Sequence, residues 1–327
     1  MSFIKKAPSF FIFILFKNKF KWFVFWICTS LFLIFLFPFG DLGDLVTAKV
    51  SEATKNQVLF KFDDMKFGLP LSLNFTDVQF QNKGSAPITT ESFKITPSIT
   101  SLLKLKPGFT AKASNIWDGN LDLSFGSGGK SDSGVKLQNL DVELKKISLA
   151  KLSGNIPSKT PINLQGILSG TLTAALDQSF EEQPNSEFDF SSPKFELLPL
   201  SVNQGGMSIE LPRLSWSVLK LKGRLVGSEL IIEDGILGNN KDNLSLKIKG
   251  KMGLKFTKRG NNVAPLFTSY DLRMDIQTVG DVDPTLNLAF IPIDQFKRST
   301  PSGNRYLLRA QSRNMRTPPR FTAISTL

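Results

Sequence analysis

Two carboxylate pairs and one glycine-rich loop are the places where this sequence could do chemistry. Asp63 and Asp64 are adjacent, and Asp281 and Asp283 are one residue apart. Such pairs serve glycoside hydrolysis as acid and base, or bind calcium through hard oxygen ligands. Neither pair comes with an oxygen-rich loop of calcium spacing, so both read as turn and surface residues. Gly126-Ser127-Gly128-Gly129-Lys130-Ser131 has the look of a phosphate cradle, but Ser124 stands where the Walker pattern needs its first glycine. It also lies between two strand-like stretches and opens no helix, as a hairpin loop does. Histidine is absent and the single cysteine is Cys28. That removes Ser–His and Cys–His nucleophile pairs and the commonest transition-metal ligand. The expectation is therefore a non-enzymatic chain with no catalytic set, no cofactor and no metal. Trp117 and Trp216 sit in strand-like surroundings and read as packing residues ahead of sugar platforms.

The charge directs attention to the two ends. The chain has a net charge of +12. Lys5, Lys6, Lys17, Lys19 and Lys21 precede residue 22 with no acid among them. Lys297, Arg298, Arg305, Arg309, Arg313, Arg316 and Arg320 follow Gln295, again with no acid. The stretch between is balanced, with 28 residues of each sign. A nucleic-acid groove on the body is thereby disfavoured. The arginines Arg298, Arg305, Arg309, Arg313, Arg316 and Arg320, in a polar segment carrying Pro301, Pro318 and Pro319, read as a basic disordered tail over 291–327. Its cations are candidate contacts for an anionic partner such as lipid headgroups.

Those ends flank a segment that must be positioned in an apolar phase. From Trp22 to Phe39 there is no charge, and eighteen helical residues reach roughly 27 Å, close to the hydrocarbon thickness of a bilayer. This predicts a transmembrane helix over 22–39, anchored by Trp22, Trp26, Phe32, Leu36 and Phe39, with interfacial tryptophans at one end. The lysine bias places residues 1–21 in the cytoplasm and the rest outside. No small-residue cleavage site follows the run, so the segment reads as a retained anchor. Cys28 falls inside it, which leaves the exported part without a disulfide.

Beyond a juxtamembrane segment over 40–56, with a short helix in it, the pattern turns to period two. Leu71, Leu73 and Phe75 alternate with polar residues, then shift to Val78 and Phe80 as a bulge would cause. The clearest strand is 244–256, where Leu244, Leu246, Ile248, Met252, Leu254 and Phe256 alternate with Ser245, Lys247, Lys249, Lys251 and Lys255. Those apolar residues are the candidate lining of a groove, and the lysines a solvated face. Short helices fit Pro97–Leu105 and Ile147–Leu152, and the acidic stretch Gln178–Ser192 reads as a connecting loop. The fold class expected is mainly β: an antiparallel β-rich domain over 57–290, built as a curved or stacked sheet with few short helices. A weak repeat suggests sub-repeats over 57–177 and 193–290.

The order of features carries a resemblance. The basic N-terminus and span end in Phe37-Pro38-Phe39. Phe67-Gly68-Leu69-Pro70-Leu71, Asn74-Phe75-Thr76-Asp77-Val78 and Ile95-Thr96-Pro97-Ser98-Ile99-Thr100-Ser101-Leu102-Leu103 come next. Asn139-Leu140-Asp141-Val142-Glu143-Leu144 then leads to Ile147-Ser148-Leu149-Ala150-Lys151-Leu152 and a strand with Gly166 and Gly170. Together these resemble the type II secretion system protein N family (GspN), and the second half is similar to the AsmA-like envelope proteins. The resemblance implies a single-pass inner-membrane protein of a Gram-negative envelope, mostly periplasmic, with other type II secretion subunits (the inner-membrane platform and the secretin) as partners. The AsmA-like character implies two lobes and, as the alternative function, binding or transfer of lipid between membranes.

Overall fold

The structure is a computed structural model that describes residues 19–36, 42–68, 71–82, 86–103, 105–131, 133–155, 162–177, 179–204, 207–259, 262–280, 284–315 and 317–327. Phe39, Arg316, Asp281, Asp283, Lys5, Lys6 and Lys17, all singled out above, lie outside the described residues.

The first helix, α1 (Lys19–Leu36), is apolar on every side after Lys21. Phe23, Val24, Phe25, Trp26 and Ile27 are consecutive and all exposed, and five helical residues at 100° steps visit every face. Among the described residues no helix is long and apolar enough to cross a membrane. The span expected over 22–39 runs past α1 into residues 37–39, which lie outside the described residues. Next, α2 (Gly43–Ala53) lays Val46 and Val50 on the first strands.

Among the described residues twenty strands follow. They are β1 (Val58–Lys61), β2 (Asp64–Gly68), β3 (Ser72–Asn82), β4 (Ile88–Pro97), β5 (Gly108–Ile116), β6 (Gly119–Lys130), β7 (Lys136–Ser148), β8 (Leu164–Asp177), β9 (Asn185–Ser192) and β10 (Phe195–Leu197). After a separate hairpin of β11 (Leu200–Gln204) and β12 (Met207–Leu211) come β13 (Leu214–Trp216), β14 (Leu219–Val226), β15 (Glu229–Leu237), β16 (Leu244–Arg259), β17 (Asn262–Val279), β18 (Lys297–Thr300), β19 (Gly303–Ser312) and β20 (Arg320–Ala323). Short helices α3 (Ile99–Leu103), α4 (Leu149–Gly154) and α5 (Pro284–Phe290) and a 3-10 turn (Ile291–Phe296) sit in the connections.

Eighteen strands form one sheet, and every pairing in it is antiparallel. From β3 to β9 each strand pairs with the next; β9 then pairs with β14, and the meander continues through β17 to β19. An open sheet this wide curls, splits or flattens. Bulges help it curl, as at Leu144/Ile147, Lys222/Gly223 and Ile232/Gly235.

The mainly β, antiparallel expectation holds, but two sequence readings need correction. The stretch read as a loop, Gln178–Ser192, contains β9, because Phe188 and Phe190 alternate among its acids and pair into β8 and β14. That same strand lies between the two expected sub-repeats, in one continuous sheet. The tail read as disordered instead supplies β18, β19 and β20. Tyr306, Leu308 and Ala310 alternate there with Arg305 and Arg309, and all three apolar residues are buried. A basic count hid a strand pattern.

Candidate functional site: an apolar sheet face

In an antiparallel sheet, directly paired residues share a face. One row of partners runs from end to end: Phe75, Phe93, Ala113, Leu121, Leu144, Gly170, Phe190, Leu221, Gly235, Ile248, Met274 and Leu308. Every member is apolar or glycine. The parallel row two residues away, from Ile95 through Val142, Leu172 and Phe188 to Leu272, obeys the same rule. Between them lies a row of the opposite face: Lys94, Lys112, Asp122, Glu143, Thr171, Asp189 and Lys222, all polar. The sheet has one oily side and one wet side along its whole width.

The oily side is closed at both ends. At the first strands, Phe60, Met65, Phe75 and Val78 form a core under Leu42, Val46 and Val50 of the α2 region. Asp77 has a φ of 50°, which turns β3 so that Val78 and Phe80 join the cluster of Phe75. At the last strands, Tyr306, Leu308 and Ala310 lie under Phe290, Ile293 and Phe296, with Phe290 stacked on Tyr306 at 5.2 Å. A third core, of Ala113, Ile116 and Ile147, is flanked by Leu152 of α4. Away from these caps the face is only half-buried: Phe109, Leu123, Phe125, Val142, Leu172, Phe188, Ile232 and Met252 all retain solvent contact.

Glycines let aromatic rings lie flat across this face. A Cβ on Gly223 would stand 2.7 Å from Phe188 Cζ and 2.3 Å from the Ile231 carbonyl, so no larger residue fits. The expected groove residues Leu244, Leu246, Ile248 and Met252 do share the face, opposite Thr278, Ile276, Met274 and Tyr270. Beyond a bulge, Leu254 is buried, and Gln183 holds the Phe256 backbone, donating to its carbonyl at 3.1 Å and accepting from its N–H at 2.7 Å. The groove lining predicted from β16 is therefore one-twelfth of a much wider surface. What the sequence reading missed was that Phe188, Phe190, Val142 and Leu172 belong to it, although their period-two spacing was visible.

The wet face is stitched by cross-strand ion pairs. Lys145 meets Asp122 at 2.8 Å, Lys251 meets Glu229 at 2.9 Å, and Lys220 meets Asp234 at 3.3 Å. Two arginines expected to contact an anionic partner are committed here. Arg305 donates to both oxygens of buried Asp275 at 2.8 and 2.7 Å, and Arg309 grips Asp271 in the same way. The Arg309 guanidinium, aided by the Gln311 amide, holds the Asp271 carboxyl below its usual range. Arg298, Arg313 and Arg320 are exposed. Glu196, buried on β10, is held down to about 2 by Arg213 and Lys194. Asp177 is likewise held down to about 2, chiefly by the Ser179 hydroxyl and then by the N–H groups of Glu182, Ser179 and Glu181.

The other sequence candidates disperse. Asp64 pairs with Lys66 at 2.9 Å on the wet face, and Gly126–Lys130 lies in the end of β6. Trp117 packs beside the third core, and Trp216 stacks on Phe195 at 5.5 Å. Among the described residues no group of three or more His, Cys, Asp or Glu side chains stands close enough to hold a metal. The chain matches no protein-family model, no curated protein and no solved structure at a significant level.

Proposed function

We propose that the chain is a non-enzymatic, membrane-anchored envelope protein whose apolar sheet face holds acyl chains. The carrying observation is the unbroken row from Phe75 to Leu308, capped at both ends and half-exposed between them. A face of that size is costly in water at roughly 25 cal/mol per Å², and monomers rarely leave such patches open unless something occupies them. The anchor is the apolar segment 22–39, of which residues 22–36 belong to α1. Its exposed, all-round apolar surface wants hydrocarbon, and the lysines before it keep the N-terminus cytoplasmic. The location that follows is the inner membrane, with the sheet on its periplasmic side.

A second reading is the type II secretion subunit that the feature order suggests. Its support is that the sheet has open ends: β1 and β2 pair with β3 alone, and β18 and β20 with β19 alone, so a partner strand has edges to join. Crosslinking in intact cells, scored for secretin and platform subunits against phospholipid, separates the two. For the lipid reading, the purified full chain is analysed by mass spectrometry for bound phospholipid, beside Val142→Lys and Leu172→Lys. The expected result is phospholipid in the parent and a several-fold loss in the variants, which still show the parent's β-sheet circular dichroism. Equal lipid in all three, or none in the parent, overturns it.

A further inference from the structure

In a meander every second connection lies along the same edge of the sheet. The connections after β2, β4, β6, β8, β14, β16 and β19 share one such edge, and those after β3, β5, β7, β15 and β17 share the other. The first edge is lined with apolar side chains that the fold leaves in water: Leu71, Leu105, Val226, Leu266, Phe267 and Met315. Leu105 is 95% exposed. Leu71, Leu105 and Met315 come from three connections, and Val226, Leu266 and Phe267 from β14 and β17, so no single loop sequence accounts for the line.

Backbone strain occurs at both edges, at Asn115, Trp117, Asp118 and Lys146 on the other, but on this one it falls on two exposed leucines. Leu71 and Leu105 have φ of 48° and 51°, the left-handed region that L side chains avoid. Each leucine thus pays twice, once in backbone conformation and once in exposure. A glycine or asparagine would be cheaper in a solvated turn. Strain of this kind persists where something else selects the side chain. The charge is also one-sided: Lys106, Lys130, Lys255, Lys258 and Arg313 are exposed here. Of the acids near them, Asp177 is buried, Glu182 accepts from the Ser131 and Ser133 hydroxyls, and Glu229 pairs with Lys251, which leaves Glu181 exposed.

The path of the chain ties this edge to the anchor. Helix α2 begins with Gly43 beside Phe62, halfway along β3, and ends near Val58, which pairs with Asn82 at the opposite edge. Its N-terminus, to which the anchor segment is joined, therefore points toward the edge of exposed leucines.

We infer that this edge lies on the membrane that holds the anchor, with the leucines in the interface and the cations at anionic headgroups. The inference rests on the anchor proposed above, and not on what the apolar face binds. It places the strands upright on the bilayer, with β4–β5, β14–β15 and β16–β17 as successive points of contact.

The test uses the full chain with Cys28→Ser, so that one introduced cysteine carries an environment-sensitive fluorophore. Leu105→Cys and Leu266→Cys report the proposed edge, and Ile162→Cys reports the other. The protein is reconstituted into phosphatidylcholine vesicles containing a minor share of phosphatidylglycerol, and vesicles are floated at high salt. The expected result is that probes at 105 and 266 are quenched several-fold more by a lipid-borne quencher than by a soluble one, with the reverse at 162. Chain that floats while all three probes favour the soluble quencher overturns the inference and leaves the anchor standing. Chain that does not float at all ends both.

Discussion

Asp177 shows how a single buried carboxylate can organise a turn without doing chemistry. It stops β8 and gathers the Ser179 hydroxyl with three backbone N–H groups, which is why its proton is held so weakly. The sign follows from the depressed pKa. Unfolded, the group titrates near 4, so its contribution is complete above that pH and is lost as the pH falls toward 2. Hydrogen exchange at the Glu181 and Glu182 amides should therefore accelerate between about pH 4 and pH 2 beyond the intrinsic rate. Asp177→Asn should flatten that dependence. An unchanged profile in the variant would assign the turn's acid lability elsewhere.

Among the elements, the terminal strands best show what could and could not be read in advance. Period-two spacing made β3 and β16 legible, β16 by its alternation along 244–256 and β3 by alternation on either side of a bulge. The helices α2, α3 and α4 were placed to within a few residues by short apolar clusters and Pro97. The same alternation exists in β19, but Arg305 and Arg309 were counted as loose charge. Their counterions, Asp275 and Asp271, lie 30 and 38 positions earlier, and a sequence shows separation along the chain without showing adjacency across a ladder. Only the register of β17 with β19 brings two of the tail's cations onto acids. Deleting residues 297–327 should thus uncover Met274 and Ile276 and expose the edge of β17. The expected outcome is an aggregation-prone protein with a lower melting temperature, read by size exclusion and calorimetry. A truncated chain as soluble and stable as the parent would restore the tail to a passive role.

For the molecule as a whole, buried cores alternate with half-exposed stretches of the same face, so equal substitutions should cost unequal amounts. Leu308 is fully buried beneath Ile293 and Phe290, and Leu308→Ala is expected to cost about 3–5 kcal/mol. Val142 sits on the half-exposed stretch, and Val142→Ala should cost only about 1 kcal/mol. Urea titrations of the two variants at matched conditions read the difference. Similar losses would mean that the middle of the face is as closed as its ends. The sequence reading saw the oily and wet sides of β16 but not their extent, because a row across twelve strands depends on a register that bulges and turns set one strand at a time.

The meander also says something about how such a chain can be made. From β3 to β9, and again from β14 to β17, each strand's partner is its immediate predecessor in synthesis. A polypeptide threaded N-terminus first through a narrow pore could add one rung at a time to a growing ladder. β14, which must find β9 past the β11–β12 hairpin, and β19, which must find β17 past the helices that follow it, have to wait for a longer stretch to emerge.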